Sequence, residues 1–353
     1  ILLHHPFQSF TPVIELLEAA VTDPDVVAIK MTVYRTGTDS VLMRSLLRAA
    51  QAGKEVTVVV ELMARFDEEA NIGWATKLEE VGAHVVYGVV GYKTHAKMLM
   101  IVRREESKHG KLLRRYVHLG TGNYHPRTAR LYTDFGLLTC NESIGADVNE
   151  VFKQLTGLGR AQALNHLWQA PFSLHANIVA AIENETRAAL AGKRARIIAK
   201  MNSLLEPETI AALYEASQAG VKIDLVVRGV CALRPGVKGL SENIRVRSII
   251  GRFLEHHRIF YFHAGGKESV YLSSADWMER NFFRRIELAF PVLDRKLKRR
   301  VISEGLQAYL TDNVQAWEMK ANGSYLRKRR TGKTPARCAQ CQLIEALKPG
   351  SSA

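Results

Sequence analysis

The first candidate for chemistry is the pentapeptide Lys93-Thr94-His95-Ala96-Lys97, which runs into the apolar stretch Met98-Leu99-Met100-Ile101-Val102. In a strand alternate side chains share a face, so His95, Lys97 and Leu99 point one way and Ala96, Met98 and Met100 the other. An imidazole and an ammonium then stand about 7 Å apart on one face. That pair suits a phosphate: neutral imidazole nitrogen is a good nucleophile near neutral pH, and the ammonium can hold an oxygen. An isolated His-x-Lys also reads as an ordinary surface strand, so its weight depends on the rest of the chain.

The second half supplies that context. Ala28 to Leu62 and Ile197 to Gly229 follow one plan: strand, loop, helix, the shared phrase Gln-Ala-Gly, and strand. Further on, His95-Ala96-Lys97 is echoed by His256-His257-Arg258, and Gly120-Thr121-Gly122-Asn123 by Ser273-Ser274-Ala275-Asp276. In the same register Arg127 falls on Arg280 and Asp134 on Glu287, each acid leading an apolar run. Core packing does not require matched polar residues. A site between the halves, with one histidine from each, is the better reading.

His95 and His256 are then the candidate nucleophile and its acid/base partner. An imidazole in that role needs one nitrogen held so that the other is free, usually by a carboxylate. Each half offers one acid, and the expectation is that Asp134 orients His95 and Glu287 orients His256. Either acid could equally be a strand-edge residue paired with an arginine. Arg35 and Arg65 follow strands (VYR and VVVELMAR) and Arg228 ends the strand LVVR, where α/β folds place ligands. Their forked donors fit phosphate better than lysine does. Lys97 reads as a phosphate ligand or as a strand-face charge.

The elements that must position these residues alternate between strand and helix, which argues an α/β fold. Thr11 caps a first helix with Pro12 at its first position, and Asp23-Pro24-Asp25 ends it. Strands follow at Val26 to Tyr34, Val56 to Glu61, His84 to Val90 and Arg115 to Leu119, with helices ending at Gly53 and near Gly82. A helix over Ile144 to Leu158 precedes a boundary within Gln162 to Ser173, which divides the chain into domains 1–164 and 165–353. The second half opens with a helix from Ile178 to Ala191, and a basic helix after Leu293 leads to Arg327-Lys328-Arg329-Arg330 and a polar tail.

At 353 residues the chain is long enough for two ordinary domains, and it opens at Ile1 in mid-pattern, which reads as a fragment. No apolar run reaches the ~18 residues of a membrane span. A formal charge of +14 implies a polyanionic partner: nucleic acid, an anionic membrane, or a phosphate-rich molecule or polymer. Four cysteines are too few for a disulfide framework and suggest a reducing compartment, hence a cytoplasmic protein whose basic faces can meet a membrane peripherally. Cys338 and Cys341 form one C-x-x-C, half of what a zinc ribbon needs, and carry no assigned role.

With these residues in place, the His-x-Lys and Gly-Thr-Gly-Asn of the first half, repeated as His-x-Arg and Ser-Ser-Ala-Asp, resemble the phospholipase D superfamily. Two tandem phospholipase D-like domains, each a mixed β-sheet flanked by helices, are what that resemblance implies. The superfamily's Asp seven residues after the histidine is absent, Val102 and His263 standing there instead, which speaks against a phosphodiesterase. The phrases VVVELMARFDEEANI, KTHAKM, HLGTGNYHPRTARLYTDFGLLT, LVVRG, SENIRV, FLEHHRIF and SSADWMERN more closely resemble the polyphosphate kinase family of the long-chain-synthesising type, up to about Asp312.

That resemblance implies reversible transfer of the ATP terminal phosphate to a growing inorganic polyphosphate chain through a phosphohistidine. It makes His95 the phosphorylated residue, His256 its partner, and Tyr132, Arg228 and His256 the nucleotide contacts. It puts a Mg2+ site at Arg35 and Arg65. Arginine has no lone pair to give a metal, so both read as gripping phosphate oxygens that the magnesium shares. The resemblance also implies ATP/ADP and polyphosphate as partners, no specific nucleic acid, and a homo-oligomer formed through a missing amino-terminal region. Two alternatives remain: a phosphodiesterase or nuclease of the wider superfamily, and a non-catalytic module that binds polyanions.

Overall fold

Apolar, β-branched runs such as VVAIKMTV and EVTVVV are too short for helices and have no polar face, and they become central strands buried on both sides. A computed structural model describes residues 1–348 except Thr36, Met63, Arg65, Phe66, Val90, His109, Leu158, Arg160, Ala161, Arg329, Thr331 and Lys333. The first half runs β1 (Leu2–His5), α1 (Thr11–Thr22), β2 (Val26–Val33), α2 (Val41–Gln51), β3 (Glu55–Val60), α3 (Glu68–Glu80), β4 (His84–Val86), β5 (Lys93–Thr94), β6 (Lys97–Ser107), β7 (Gly110–Gly120), β8 (Tyr132–Thr139) and α4 (Glu142–Leu155).

The second half repeats the plan with β9 (Trp168–Ala170), α5 (Leu174–Leu190), β10 (Arg196–Met201), α6 (Pro207–Gln218), β11 (Lys222–Val227), β12 (Ile244–Ile249), β13 (Leu254–Glu255), β14 (Arg258–Phe262), β15 (Ser269–Ser273), α7 (Glu279–Phe283) and β16 (Arg285–Pro291). A helical stretch follows, α8 (Arg295–Arg300) and α9 (Ala308–Thr311) joined by a π-helical segment, then β17 (Ala316–Met319), β18 (Tyr325–Arg327) and α10 (Ala339–Ala346).

The two sheets have matching orders. The first is β1-β8-β7-β6-β2-β3-β4 and the second β9-β16-β15-β14-β10-β11-β12, extended by β17 and β18. In each, three strands are parallel and the rest antiparallel. Helices α1, α2 and α3 cover one face of the first sheet, and α5 and α6 one face of the second. The remaining faces close on each other: Met98, Leu119 and Phe135 of one half share a core with Ile259, Leu272 and Ile286 of the other. Each half therefore lacks a complete core until the other covers it.

Two short strands break the separation. β5 pairs in parallel with β16 of the second sheet, Arg285 opposite Lys93 and Ile286 opposite Thr94. Reciprocally, β13 pairs in parallel with β8 of the first sheet, Leu254 opposite Tyr132 and Glu255 opposite Thr133. Each of these strands lies immediately before a candidate histidine, so each histidine is handed to the other half.

Smaller differences from the sequence reading are local. Phe10, with no side-chain cap, precedes the first helix, and Thr11 is its first residue. The strand expected at Arg115 to Leu119 is one arm of a longer hairpin, β6–β7, whose outer part is polar and held by ion pairs such as Arg114 Nε to Glu105 at 2.7 Å.

Candidate active site

Because β5 and β13 cross over, the acids and histidines pair between halves rather than within them. His95 Nδ1 lies 2.8 Å from Glu287 Oε2, and His256 Nδ1 lies 2.8 and 3.0 Å from the two oxygens of Asp134. This reverses the expectation that Asp134 would serve His95 and Glu287 His256. The reason is register: Ile286 O accepts the N–H groups of both His95 and Ala96 at 2.9 Å, which seats His95 beside the next residue, Glu287. On the other side His256 N–H donates to Thr133 Oγ1 at 3.1 Å, one residue before Asp134.

Each acid is itself held by a hydroxyl of its own half. Thr121 Oγ1 donates to Asp134 Oδ1 at 2.7 Å and accepts Phe135 N–H at 3.0 Å. Ser274 Oγ donates to Glu287 Oε2 at 2.5 Å and accepts Leu288 N–H at 3.1 Å. These two hydroxyls hold the same place in the Gly-Thr-Gly-Asn and Ser-Ser-Ala-Asp repeats, a signal that sequence reading could have used. Glu287 has a further donor, Asn281 Nδ2 at 2.7 Å. Gly122 lies so close to Asp134 that a Cβ there would stand 2.1 Å from its carboxylate, so only glycine fits.

Burial sets the protonation states. Desolvation pulls the pKa of His95 down to about 3, against Glu287, which raises it, with Lys97 lowering it further. His256 is lowered for the same first reason, opposed by Asp134 and reinforced by Arg258. Glu287 and Asp134 sit below the usual carboxylate range: burial pushes them up, but the histidine and cation beside each outweigh it. At neutral pH both rings are therefore neutral, with Nδ1–H donated to a carboxylate and Nε2 left as the basic atom.

Cations crowd this centre. The Tyr34 ring stands edge-on to His95 at 4.8 Å between centroids. It also has Arg35 at 5.5 Å, Lys97 at 5.3 Å and Lys93 at 5.9 Å from its centroid. Tyr34 was not among the residues singled out from the sequence. Lys97 is buried, donates to His95 O, and has its pKa pushed well below the usual lysine value by desolvation, an effect that Glu287 opposes and Arg258 and Arg285 reinforce. Among the described residues Lys97 has no carboxylate in contact, and its charged form is one that an arriving anion stabilises.

Arg258, the counterpart of Lys97, is clamped by Asp276, Nε to Oδ1 at 3.2 Å and Nη2 to Oδ2 at 3.1 Å. Its Nη1 rests against the His256 ring, 3.4 Å from Nδ1 and 3.3 Å from Nε2. Arg228 donates from Nε to Asn202 Oδ1 at 3.1 Å, and burial and neighbouring Arg258 lower its pKa. Tyr132 tilts against His256 at 5.4 Å. Arg228, Arg258, Tyr132 and His256 thus form one cluster, and Arg35, Tyr34, Lys97 and His95 another. Arg65 lies outside the described residues. Arg35 Nε is 3.7 Å from Asp67 Oδ2, and among the described residues this buried donor has no hydrogen-bond partner, which fits a phosphate oxygen and not a metal ion.

The fold is that of two tandem phospholipase D-like α/β domains, and it is shared at low identity: a phosphatidylserine synthase from Haemophilus influenzae Rd KW20 superposes with a TM-score of 0.57 at 9% identity, over 95% of this chain and 91% of that one. Far nearer is a polyphosphate kinase from Porphyromonas gingivalis, with a TM-score of 0.91 and 39% identity over 99% of this chain and 52% of that one.

Residues 1–161 match polyphosphate kinase C-terminal domain 1 and residues 167–340 match polyphosphate kinase C-terminal domain 2. The chain belongs to the polyphosphate kinase family. Polyphosphate kinases of Burkholderia cenocepacia (strain HI2424) and Paraburkholderia phytofirmans (strain DSM 17436 / LMG 22146 / PsJN) are 69% and 68% identical over 344 residues, 98% of this chain and 50% of theirs. The chain thus spans about half the length of the curated relatives it matches.

Proposed function

We propose that this chain is the catalytic half of an ATP:polyphosphate phosphotransferase and that His95 is the residue phosphorylated. The observation that carries this reading is the crossed pair of histidine–carboxylate contacts within one concentration of buried cations. His95 Nε2 attacks the terminal phosphorus of ATP as the bond to the ADP oxygen breaks, and the leaving electrons settle on ADP. Glu287 accepts the Nδ1–H throughout and stabilises the positive charge that the ring acquires. Lys97, Arg35 and Arg258 offset charge on the phosphoryl oxygens, and Tyr132, Arg228 and His256 contact the nucleotide. A terminal oxygen of polyphosphate then takes the phosphoryl group from His95. Each step runs equally in reverse.

Mg2+ belongs to this proposal as a companion of the nucleotide, carried on its phosphates. Arginine side chains do not fit it as ligands, and no step here is routed through it. The formal charge of +14 supports a polyphosphate partner, and we extend the proposal to a cytoplasmic enzyme whose basic faces can meet a membrane surface. We extend the proposal, on the resemblance, to a homo-oligomer assembled through the region that the longer relatives contain and this chain does not.

The test uses the full-length protein with γ-labelled ATP and magnesium. Acid-labile, base-stable label should appear on the protein and vanish in His95→Ala. Label that survives this substitution sinks the mechanism, and hydrolysed diesters without any label favour a phosphodiesterase.

A further inference from the structure

The C-x-x-C left without a role by the sequence lies against the strand that delivers His256. Cys338 and Cys341 are joined by a disulfide, and Cys338 caps α10 by accepting Cys341 N–H on its sulfur at 3.3 Å. Cys338 is buried and Cys341 exposed. Between them Gln340 is 1% exposed and turned inward. Its Nε2 donates to Phe253 O at 2.9 Å and to Glu255 Oε1 at 2.6 Å, and its Oε1 accepts Phe253 N–H at 3.0 Å. One amide thus grips both the approach to β13 and its last residue.

The grip passes directly to the site. Glu255 Oε2 accepts from Thr133 Oγ1 at 2.9 Å and from Lys200 Nζ at 2.6 Å. The same Thr133 oxygen accepts His256 N–H at 3.1 Å. From Gln340 to the His256 backbone there are three consecutive hydrogen bonds, through Glu255 and Thr133, all among buried or part-buried groups. On the other side the position equivalent to Glu255 is Thr94, whose N–H donates to Glu61 Oε2 at 2.7 Å, and among the described residues no helix-borne amide grips β5 as Gln340 grips β13.

We propose that Gln340 is a positioning residue for His256, and that the Cys338–Cys341 disulfide locks it in place, so that a dithiol reductant slackens the His256 side of the site. The proposal rests on the reading of His256 as part of the phosphoryl-transfer centre. Reduction is ordinary exchange: a reductant thiolate attacks the exposed Cys341 sulfur, the S–S bond breaks, and Cys338 leaves as a thiolate, favoured at a helix N-terminus, before taking a proton. The reductant's second thiol then attacks the mixed disulfide and frees Cys341, so the reductant becomes a disulfide and the protein a dithiol. Without the covalent link, the first turn of α10 keeps its Cys338 cap and the bond from Ala339 N–H to Asp312 Oδ2 at 2.7 Å, but a helix this short is marginal and loses the tie that fixes Gln340 from both sides.

The test compares full-length enzyme purified in air with the same enzyme treated with dithiothreitol. Alkylation and mass mapping should find Cys338 and Cys341 protected in the first and free in the second. Reduction should slow turnover by about tenfold, as loss of a group that orients a reacting side chain does. It should also shift the pH dependence of kcat and move the ring signals of His256 in 15N-histidine-labelled protein. Gln340→Met, kept oxidised, should reproduce all three changes. Cys338→Ser/Cys341→Ser should be slow and indifferent to dithiothreitol.

Both thiols free in the air-purified enzyme would overturn the proposal. So would an unmoved His256 signal and an unchanged rate after verified reduction. Absence of label on the protein from γ-labelled ATP in both redox states counts instead against the phosphoryl-transfer reading, and the histidine signals then decide the clamp on their own.

Discussion

The His95 and His256 sides of this molecule are built from one plan and differ in a few atoms, and those atoms assign different work to them. Both histidines follow a strand that crosses to the other half, both donate Nδ1–H to a buried acid, and both acids are held by a hydroxyl at the same repeat position. The cation two residues on is where they part. Arg258 is drawn by Asp276 into a forked pair and lies against the His256 ring, near both nitrogens. Lys97 turns to the backbone of residue 95 and to Tyr34, and among the described residues no guanidinium or ammonium lies against the His95 ring as Arg258 lies against that of His256.

The acids differ too: both oxygens of Asp134 face the His256 nitrogen itself, whereas Glu287 receives the Asn281 amide on the oxygen that His95 and Ser274 do not use. A duplicated scaffold thus yields one ring with an open basic nitrogen and a rigid acid, suited to attack, and one ring shielded by a guanidinium, suited to bind and to manage charge.

The largest effect should come from exchanging roles. His95→Ala should abolish the phosphoenzyme and lower synthesis by more than about 10^4-fold, as loss of a nucleophile does. His256→Ala should leave a slow, measurable phosphoenzyme, by roughly 10^2-fold or more over His95→Ala. Equal losses in a quench-flow experiment would mean that the two sides are not functionally distinct.

Next is the crossed pairing. Glu287→Gln should disturb the ring tautomer of His95, and Asp134→Asn that of His256, each lowering turnover by about 10- to 100-fold. Histidine 15N shifts that moved within a half instead of across halves would break the comparison.

Gly122→Ala tests the close approach behind Asp134. The new Cβ displaces that carboxylate, and stability should fall by about 1–3 kcal/mol with the His256 signals shifted and those of His95 unmoved.

The smallest effect is in the pH dependence of stability. His95 titrates at about 3 when folded against 6.5 in its unperturbed state. Between these values the unfolded chain holds a proton that the folded chain does not, so stability falls as pH falls through this window, by about 1.4 kcal/mol per pH unit. His95→Asn should remove about 1 kcal/mol of the stability change between pH 6.5 and 5.5 in urea titrations, because the unfolded ring is only half protonated at the upper pH, and His256→Asn, whose pKa is lowered too, should flatten the slope in the same direction. The same depression means that activity should survive well below pH 6.5 before His95 is lost to protonation.

Much of the site was legible because the repeat preserves residue type at fixed offsets. His95 with His256, Lys97 with Arg258, and Asp134 with Glu287 could be matched by counting along the chain. Thr121 and Ser274 obey the same count and could have been added. Tyr34 and Asn281 could not, since neither has a counterpart of its own kind in the other half. Arg258 was visible as a match to Lys97, but its pairing with Asp276 depends on the β14–β15 register, which sets Arg258 opposite Ser273, three residues before that acid.

The sequence by itself determined the alternation of strands and helices, the duplication and the set of reactive side chains, because periodicity and spacing are properties of the chain. It could not determine which acid serves which histidine. His95 and Glu287 are 192 residues apart and His256 and Asp134 are 122 apart, and two-residue strands with no pattern of their own decide both contacts. Those strands cross because each sheet must cover the other's apolar face to complete its core, and the pairing that results is a property of that packing alone.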